Sequence, residues 1–380
     1  MEVPMSGWAE WSFDGRPWTV GIEEEVMLVS PETWLPESRC DEVLESASPH
    51  LARSARAETH GSALELATAP FATVGEAIGE LAQLRESLAG VLAPLGMRAA
   101  VSGTHPTARW EHIEVSPGAR YAFLHASMRE LARREPTFGL HVHVAVPDPE
   151  SALKALNALR RDLPLLLALS ANSPFWQGRD SGLSSARTPA FQAFPRTGPP
   201  RRFDDYAAYV EAIDVLLRCD AIPEPTFLWW DARLQPRFGT LEVRIMDAQT
   251  RVEDTAALAA LVQCLVRHHA LAPPRGSGAA DAPEVVEENR FIAARDGMGA
   301  AFVDPPAWGR RPARDVLATL LTGCAQDARA LDCLQELGQV AALAEAPGAA
   351  RQRLLAERTG SLEGLLEGLS HEFAAPVRAA

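Results

Sequence analysis

Apolar and polar positions alternate strictly along residues 240–247 (TLEVRIMD). That period predicts a strand with Leu241, Val243 and Ile245 on one face and Glu242, Arg244 and Met246 on the other. Residues 18–29 (WTVGIEEEVMLV) predict another, with Glu23, Glu25 and Met27 sharing one face and Glu24 pointing the opposite way in a structural role. Three consecutive glutamates inside an apolar strand repel one another, unless a cation held by Glu23 and Glu25 offsets them. Residues 137–146 (TFGLHVHVAV) set His141 and His143 on one face, an arrangement suited to binding metal. Residues 56–70 read as one further strand carrying Glu58 and Glu65. An odd spacing of seven puts these two on opposite faces, unless a bulge at Gly61-Ser62 restores a common one.

Helical spacing predicts helices over 74–95, 117–134 and 204–217, and over 150–170 with Pro164 kinking or dividing it. Short strands are expected at 98–102 and 226–231, with a turn at 233–237 leading into the strand at 240. Residues 172–200 are irregular, yet Phe175, Trp176, Phe191 and Phe194 mark them as an ordered loop over the site rather than a linker. From residue 253 onward the pattern is helical: 253–271, then a Pro/Gly/Ala linker at 272–283, then 284–296, 313–326, 329–345 and 351–373. The chain is expected to be one catalytic domain over 1–380, with a core at about 18–271 and a helical C-terminal part at about 284–373.

Composition narrows the function classes. A formal net charge of −14 over 380 residues argues against nucleic acid or an anionic membrane as partner. Five scattered cysteines with no CxxC fit a reduced, cytoplasmic setting, and the first residues lack the regions of a signal peptide. Glu23, Glu25, Glu58, Glu65, His141 or His143, and Glu242 form an oxygen-rich donor set. Such a set suits magnesium or manganese better than structural zinc. Metals beside arginines are what phosphoryl transfer requires. Neither a P-loop nor a kinase glycine-rich loop is present, so any ATP site has another architecture.

The stretches GIEEEVMLV, GTHP, FGLHVHVAVPD, LSANSPFWQG, TFLWWDARLQPRFGTLEVRIMDA and EENRFIAARDG resemble the type-2 glutamate–cysteine ligase family, the carboxylate–amine ligases. The resemblance implies an α+β, glutamine-synthetase-like fold, an antiparallel sheet funnel backed by helices. It implies ATP-dependent amide formation through an acyl phosphate, with small amino-acid substrates; homo-oligomerisation stays open. Glu23 and Glu25 match the family's E-x-E metal strand, Glu58 and Glu65 its next carboxylate pair, and Glu242 and Arg244 its E-x-R strand. Either His141 or His143 matches the strand histidine. Arg187, Arg233 and Arg244 become catalytic candidates, and Arg244, Arg237 and Arg196 candidates for the nucleotide phosphates. After Glu65-Leu66-Ala67-Thr68 the chain continues Ala69-Pro70-Phe71, where many relatives carry a cysteine, which leaves the substrate open. The rival readings are a metal-dependent amidohydrolase working without nucleotide, and a non-catalytic relative that only binds metal or nucleotide.

Overall fold

The computed structural model describes residues 7–375 apart from 14, 117, 134–136, 274, 275 and 277. The first six residues, both ends of the helix expected at 117–134, and part of the linker at 272–283 lie outside that set. The strands predicted at 18–29, 56–70, 98–102, 137–146 and 240–247, with one at 232–235 where a turn is expected, join into one seven-stranded antiparallel sheet. Its members are β1 (Val20–Val29), β2 (Ala55–Ala57), β3 (Ala63–Ala67), β4 (Arg98–Ala100), β5 (Gly139–Ala145), β6 (Ala232–Gln235) and β7 (Thr240–Asp247). The order is β6-β7-β5-β1-β3-β2, and β4 pairs with the far end of β1. Among the described residues no parallel βα barrel is formed, which removes the architecture of the amidohydrolase reading.

One sheet face packs on helices. Helix Val252–Leu271 is apolar nearly all round and buried along most of its length, as befits the centre of a core. It contacts β1 and β5, and helices Val74–Leu92, Pro149–Leu159, Ala313–Ala330 and Leu334–Glu345 pack around it. Glu24 points into this core. Arg85 of helix Val74–Leu92 donates from Nε to Glu24 Oε2 at 2.7 Å, and its other nitrogens reach the Thr250 and Gln249 carbonyls. Both charges of the pair are buried and hydrogen-bonded, so Glu24 is structural as expected. Pro164 divides rather than kinks: helix Pro149–Leu159 ends, and Leu163–Ser170 begins with the proline in its first turn.

Several expectations are corrected. The strand over 56–70 is two strands, β2 and β3, joined by a turn at 58–62, so a hairpin and not a bulge brings Glu58 to the side of Glu65. Arg233 lies in β6 and not in a turn; the turn is Pro236–Phe238, closed by left-handed Gly239. Met246 does not share a face with Glu242 and Arg244. The β7–β5 register shifts between Val243 and Met246, and the Arg244 and Ile245 N–H groups both donate to the Asp231 carbonyl. That extra residue turns Met246 into the core and Asp247 towards the opposite face. Residues 226–231 form a 3-10 turn and a two-residue strand rather than a full strand. Residues 351–373 are two helices, Gly348–Thr359 and Leu362–Phe373, broken at left-handed Gly360. A small hairpin, Ala301–Asp304 with Gly309–Pro312, had no expectation attached.

Candidate active site

Register brings the donors together. Glu25 lies opposite Glu65 across β1–β3, and Glu23 opposite His141 across β1–β5. Glu242 lies opposite His143 across β7–β5 and opposite Arg233 across β6–β7. Residues paired directly across strands share a face, so one alternation per strand delivers all of them to the same side. They line a cavity of about 360 Å³ together with Glu58, Arg187 and Arg244.

Two sets of three could each hold a metal ion: Glu23, His141 and Glu242, and Glu25, Glu65 and His141. In each set the donor atoms lie within 4.8 Å of one another, as required for ligands around one cation. His141 belongs to both. Its Nδ1 is 3.1 Å from Glu23 Oε2, and its buried Nε2, 3.8 Å from Glu25 Oε1, has no hydrogen-bond partner among the described residues. His143 is held differently, with Nδ1 3.1 Å from Thr240 Oγ1, and with Nε2 3.4 Å from Glu23 Oε1 and 3.9 Å from Glu242 Oε1.

The charges are unevenly balanced. Burial would raise Glu23, but the charge of His143 and hydrogen bonds from both histidines hold it below its ordinary range. Burial opposes ionisation of Glu242 too, and Arg233 and Arg244 outweigh it. At the other set the compensation falls short. Glu25 is pushed up to about 7, by burial first and then by the charge of Glu58. Glu65 is raised well above its usual range by burial and then by Glu23, Glu58 and Glu25. The His141 Nε2 beside undercompensated carboxylates fits a divalent cation, and the oxygen-rich set fits magnesium or manganese.

The arginines divide into three kinds. Arg233 is committed to structure: Nε donates to Glu242 Oε2 at 2.7 Å, and NH1 to the Thr226 and Leu228 carbonyls. Arg244 pairs through NH1 with Glu242 Oε1, while its buried Nε has no partner among the described residues. Arg187 is buried, donates to the Ile245 and Arg244 carbonyls, and stands 4.0 Å from Asp247. Arg237 is exposed beside Phe238 and borders an adjoining cavity of about 820 Å³, which meets the first at Glu23 and His143. Arg196 is among the described lining residues of neither cavity; it donates to the Phe227 carbonyl and lies over Trp229.

Some participants were missed in the sequence. Gln235 donates to Glu242 Oε2 at 2.7 Å, and the period-two step from Arg233 would have found it had β6 been read as a strand. Asp247 accepts from Asn172 N, Ser173 Oγ and Ser185 Oγ, tying down the segment that carries Arg187. Gly139 donates its N–H to Glu25, and any Cβ there would lie 2.5 Å from Arg187 and 2.9 Å from His141. Neither residue gave a signal in the pattern.

An antiparallel α+β sheet whose polar face gathers two such donor sets defines a glutamine-synthetase-like ligase fold. The chain superposes on a glutamate–cysteine ligase from Francisella tularensis in complex with AMP, with a TM-score of 0.71, 15% identity, and 96% of this chain and 90% of that one covered. It also superposes on a bifunctional glutathione synthetase from Pasteurella multocida, with a TM-score of 0.70, 15% identity and 94% of this chain covered, and spans about half of that protein's length (52%). The chain belongs to glutamate–cysteine ligase family 2 (GCS2), whose profile matches residues 19–372. A Rubrobacter xylanophilus relative with the provisional name glutamate–cysteine ligase 2-1 is 38% identical over 354 residues, 92% of this chain and 93% of its own. A Herpetosiphon aurantiacus relative, provisionally a glutamate–cysteine ligase 2, is 37% identical over 363 residues, 94% of this chain and 93% of its own. Family and fold together support a carboxylate–amine ligase of the glutamate–cysteine ligase kind.

Proposed function

We propose that the chain is an ATP-dependent carboxylate–amine ligase that activates a carboxylate as its acyl phosphate. The observation that carries this reading is the pair of donor sets sharing His141, with the Arg244 guanidinium beside them. The carboxylate oxygen attacks the γ-phosphorus, the bond to the β-phosphate oxygen breaks, and ADP leaves. The amine nitrogen then attacks the acyl carbon, phosphate departs, and the amine proton is lost to solvent or phosphate. Magnesium or manganese held by Glu23, Glu25, Glu58, Glu65, His141 and Glu242, with His143 alongside, would neutralise charge on the phosphoryl oxygens. Arg244 keeps Glu242 ionised and turns its remaining N–H groups towards the phosphoryl being transferred. Arg187 supplies fixed positive charge for the acid or for phosphate.

The adjoining cavity suits the nucleotide, because it touches the donor cluster at Glu23 and His143 and carries Arg16 and Arg237. Glutamate and cysteine are the first substrates to try, given the names of the relatives. The test is ADP release by the purified chain with ATP and magnesium. Release that requires both an acid and an amine supports the ligase. Amide hydrolysis without nucleotide, or binding of ATP with no turnover for any acid–amine pair, would refute it.

A further inference from the structure

We infer that Arg290 is a positioning residue for both Arg244 and Arg187, clamping the backbone step at Arg244 and the segment that carries Arg187. The kinetic consequence of this clamp rests on the ligase reading. Arg290 belongs to the stretch EENRFIAARDG, none of whose residues is among the described lining of either cavity. In helix Pro283–Asp296 it falls four residues after Val286 and three before Ala293, which sets it on the buried face with them. A guanidinium buried there is costly unless its nitrogens are paired, and they are. Nε donates to Asp231 Oδ2 at 2.7 Å and NH2 to Asp231 Oδ1 at 3.1 Å, while NH1 donates to Gln192 Oε1 at 3.0 Å.

Each partner leads to one of the two arginines. Asp231 gives its carboxylate to Arg290 and its carbonyl to the Arg244 and Ile245 N–H groups, at 2.8 and 3.1 Å. Those two bonds accompany the register shift in β7, where Arg244 lines the cavity. The carbonyls of the same two residues accept from Arg187, at 3.3 Å from NH2 and 3.1 Å from NH1. Arg187 opens helix Arg187–Phe191, and Gln192 caps its end. The other side of that segment is held by the same long helix, because the Ala294 carbonyl accepts from Ser184 N at 2.9 Å and Ser185 N at 2.8 Å. Helix Pro283–Asp296 thus grips the Arg187 segment on both sides and the β7 step through Asp231, in one closed circuit of hydrogen bonds. Well-packed apolar residues often stabilise a core as well as a buried ion pair does, so what this pair adds is fixed geometry. A lysine could not supply it, because a single ammonium cannot present a planar fork to Asp231 and a further N–H to Gln192.

The experiment uses the full chain with ATP, magnesium, glutamate and cysteine, and compares wild type with Gln192→Ala and with the double variant Arg290→Met, Asp231→Asn. The double variant removes both charges together, so its melting temperature should stay near wild type. Its kcat should nonetheless fall about 10–10²-fold, the scale of an ångström-sized misplacement. Gln192 is exposed, so its loss leaves folding intact. Gln192→Ala cuts only the arm to the Arg187 segment and should raise KM for glutamate or ATP more than it lowers kcat. A double variant that keeps wild-type kcat would overturn the inference and leave Arg290 a mere charge partner of Asp231. Wild-type constants in Gln192→Ala would overturn it as well. Hydrogen exchange read by mass spectrometry, without substrates, tells this inference from the ligase reading. In the double variant, peptides over 184–192 and 243–247 should exchange about tenfold faster, roughly the loss of one hydrogen bond, with 63–67 unchanged. That change, with no ADP release from wild type for any acid–amine pair, would sink the ligase and keep the clamp. ADP release from wild type, with exchange unchanged in both segments, would sink the clamp and keep the ligase.

Discussion

Replacing Arg244 with lysine tests whether this side chain serves the phosphoryl group or merely neutralises Glu242. In the folded protein NH1 is engaged with Glu242 Oε1 and lies 3.4 Å from His141 Nδ1, while the buried Nε has no partner among the described residues. A lysine nitrogen can replace one of these engagements but not both, because the planar fork is lost. The ion pair with Glu242 should survive, since that carboxylate also accepts from Arg233 and Gln235. What disappears is the second preorganised donor, normally a loss of about 10²–10³ in kcat, or roughly 2.7–4 kcal/mol of transition-state stabilisation. The assay is steady-state ADP release with saturating glutamate, amine and magnesium, wild type against Arg244→Lys, with thermal melting as a check on folding. A melting temperature close to wild type with kcat reduced a hundredfold or more is expected. Near-equal kcat values would refute the reasoning and leave Arg244 a structural partner of Glu242.

Glu24→Ala removes one half of the buried pair with Arg85 and should cost about 3–5 kcal/mol in urea unfolding, whereas Glu24→Leu with Arg85→Met should recover most of it. Less than about 1 kcal/mol lost by the single variant would count against that pair as a core element. Metal removal should give a particular pH profile. Glu25, at about 7 when folded against 4.5 ordinarily, contributes stability at low pH that is lost as pH rises through 7. His60 and His105, pushed down to about 4 by burial, contribute the opposite slope, stability lost as pH falls below 6.5. Above pH 6.5 the two buried histidines no longer contribute, and His143, which burial would lower but the charges of Glu23 and Glu242 raise, adds to the carboxylate effect with the same sign, so in EDTA the melting temperature should fall between pH 6.5 and 8. Magnesium should abolish that fall; a flat or rising profile in EDTA would contradict the undercompensated carboxylates.

The strands that carry the site were legible because one face of each must be apolar, which fixes the other face residue by residue. Alternation alone therefore assigns Glu23, Glu25, His141 and Glu242 to the polar faces of their strands. Their convergence depends on register, which no single strand encodes. Glu58 reaches the cluster through a hairpin whose turn, with Gly61 and Ser62, reads equally as a bulge in one longer strand. The shift at Arg244 and Ile245 is set by the Asp231 carbonyl, a partner on the neighbouring strand's approach, so period two failed at Met246. Which histidine serves both donor sets depends on the Thr240 hydroxyl occupying His143, again a contact across strands. Arg187 was legible only through family resemblance, because its loop has no periodic pattern, and Arg196 looked equivalent until its ring and carbonyl partners were seen.

The central claim is that a carboxylate is activated by accepting the γ-phosphoryl group. Glutamate labelled with oxygen-18 in its side-chain carboxylate, turned over by the purified chain with ATP, magnesium and an accepted amine, tests it directly. Attack of the carboxylate on phosphorus, followed by displacement by the amine, must leave one labelled oxygen in the released phosphate. The account predicts phosphate carrying one oxygen-18 for each amide formed. Amide formation with unlabelled phosphate would contradict it.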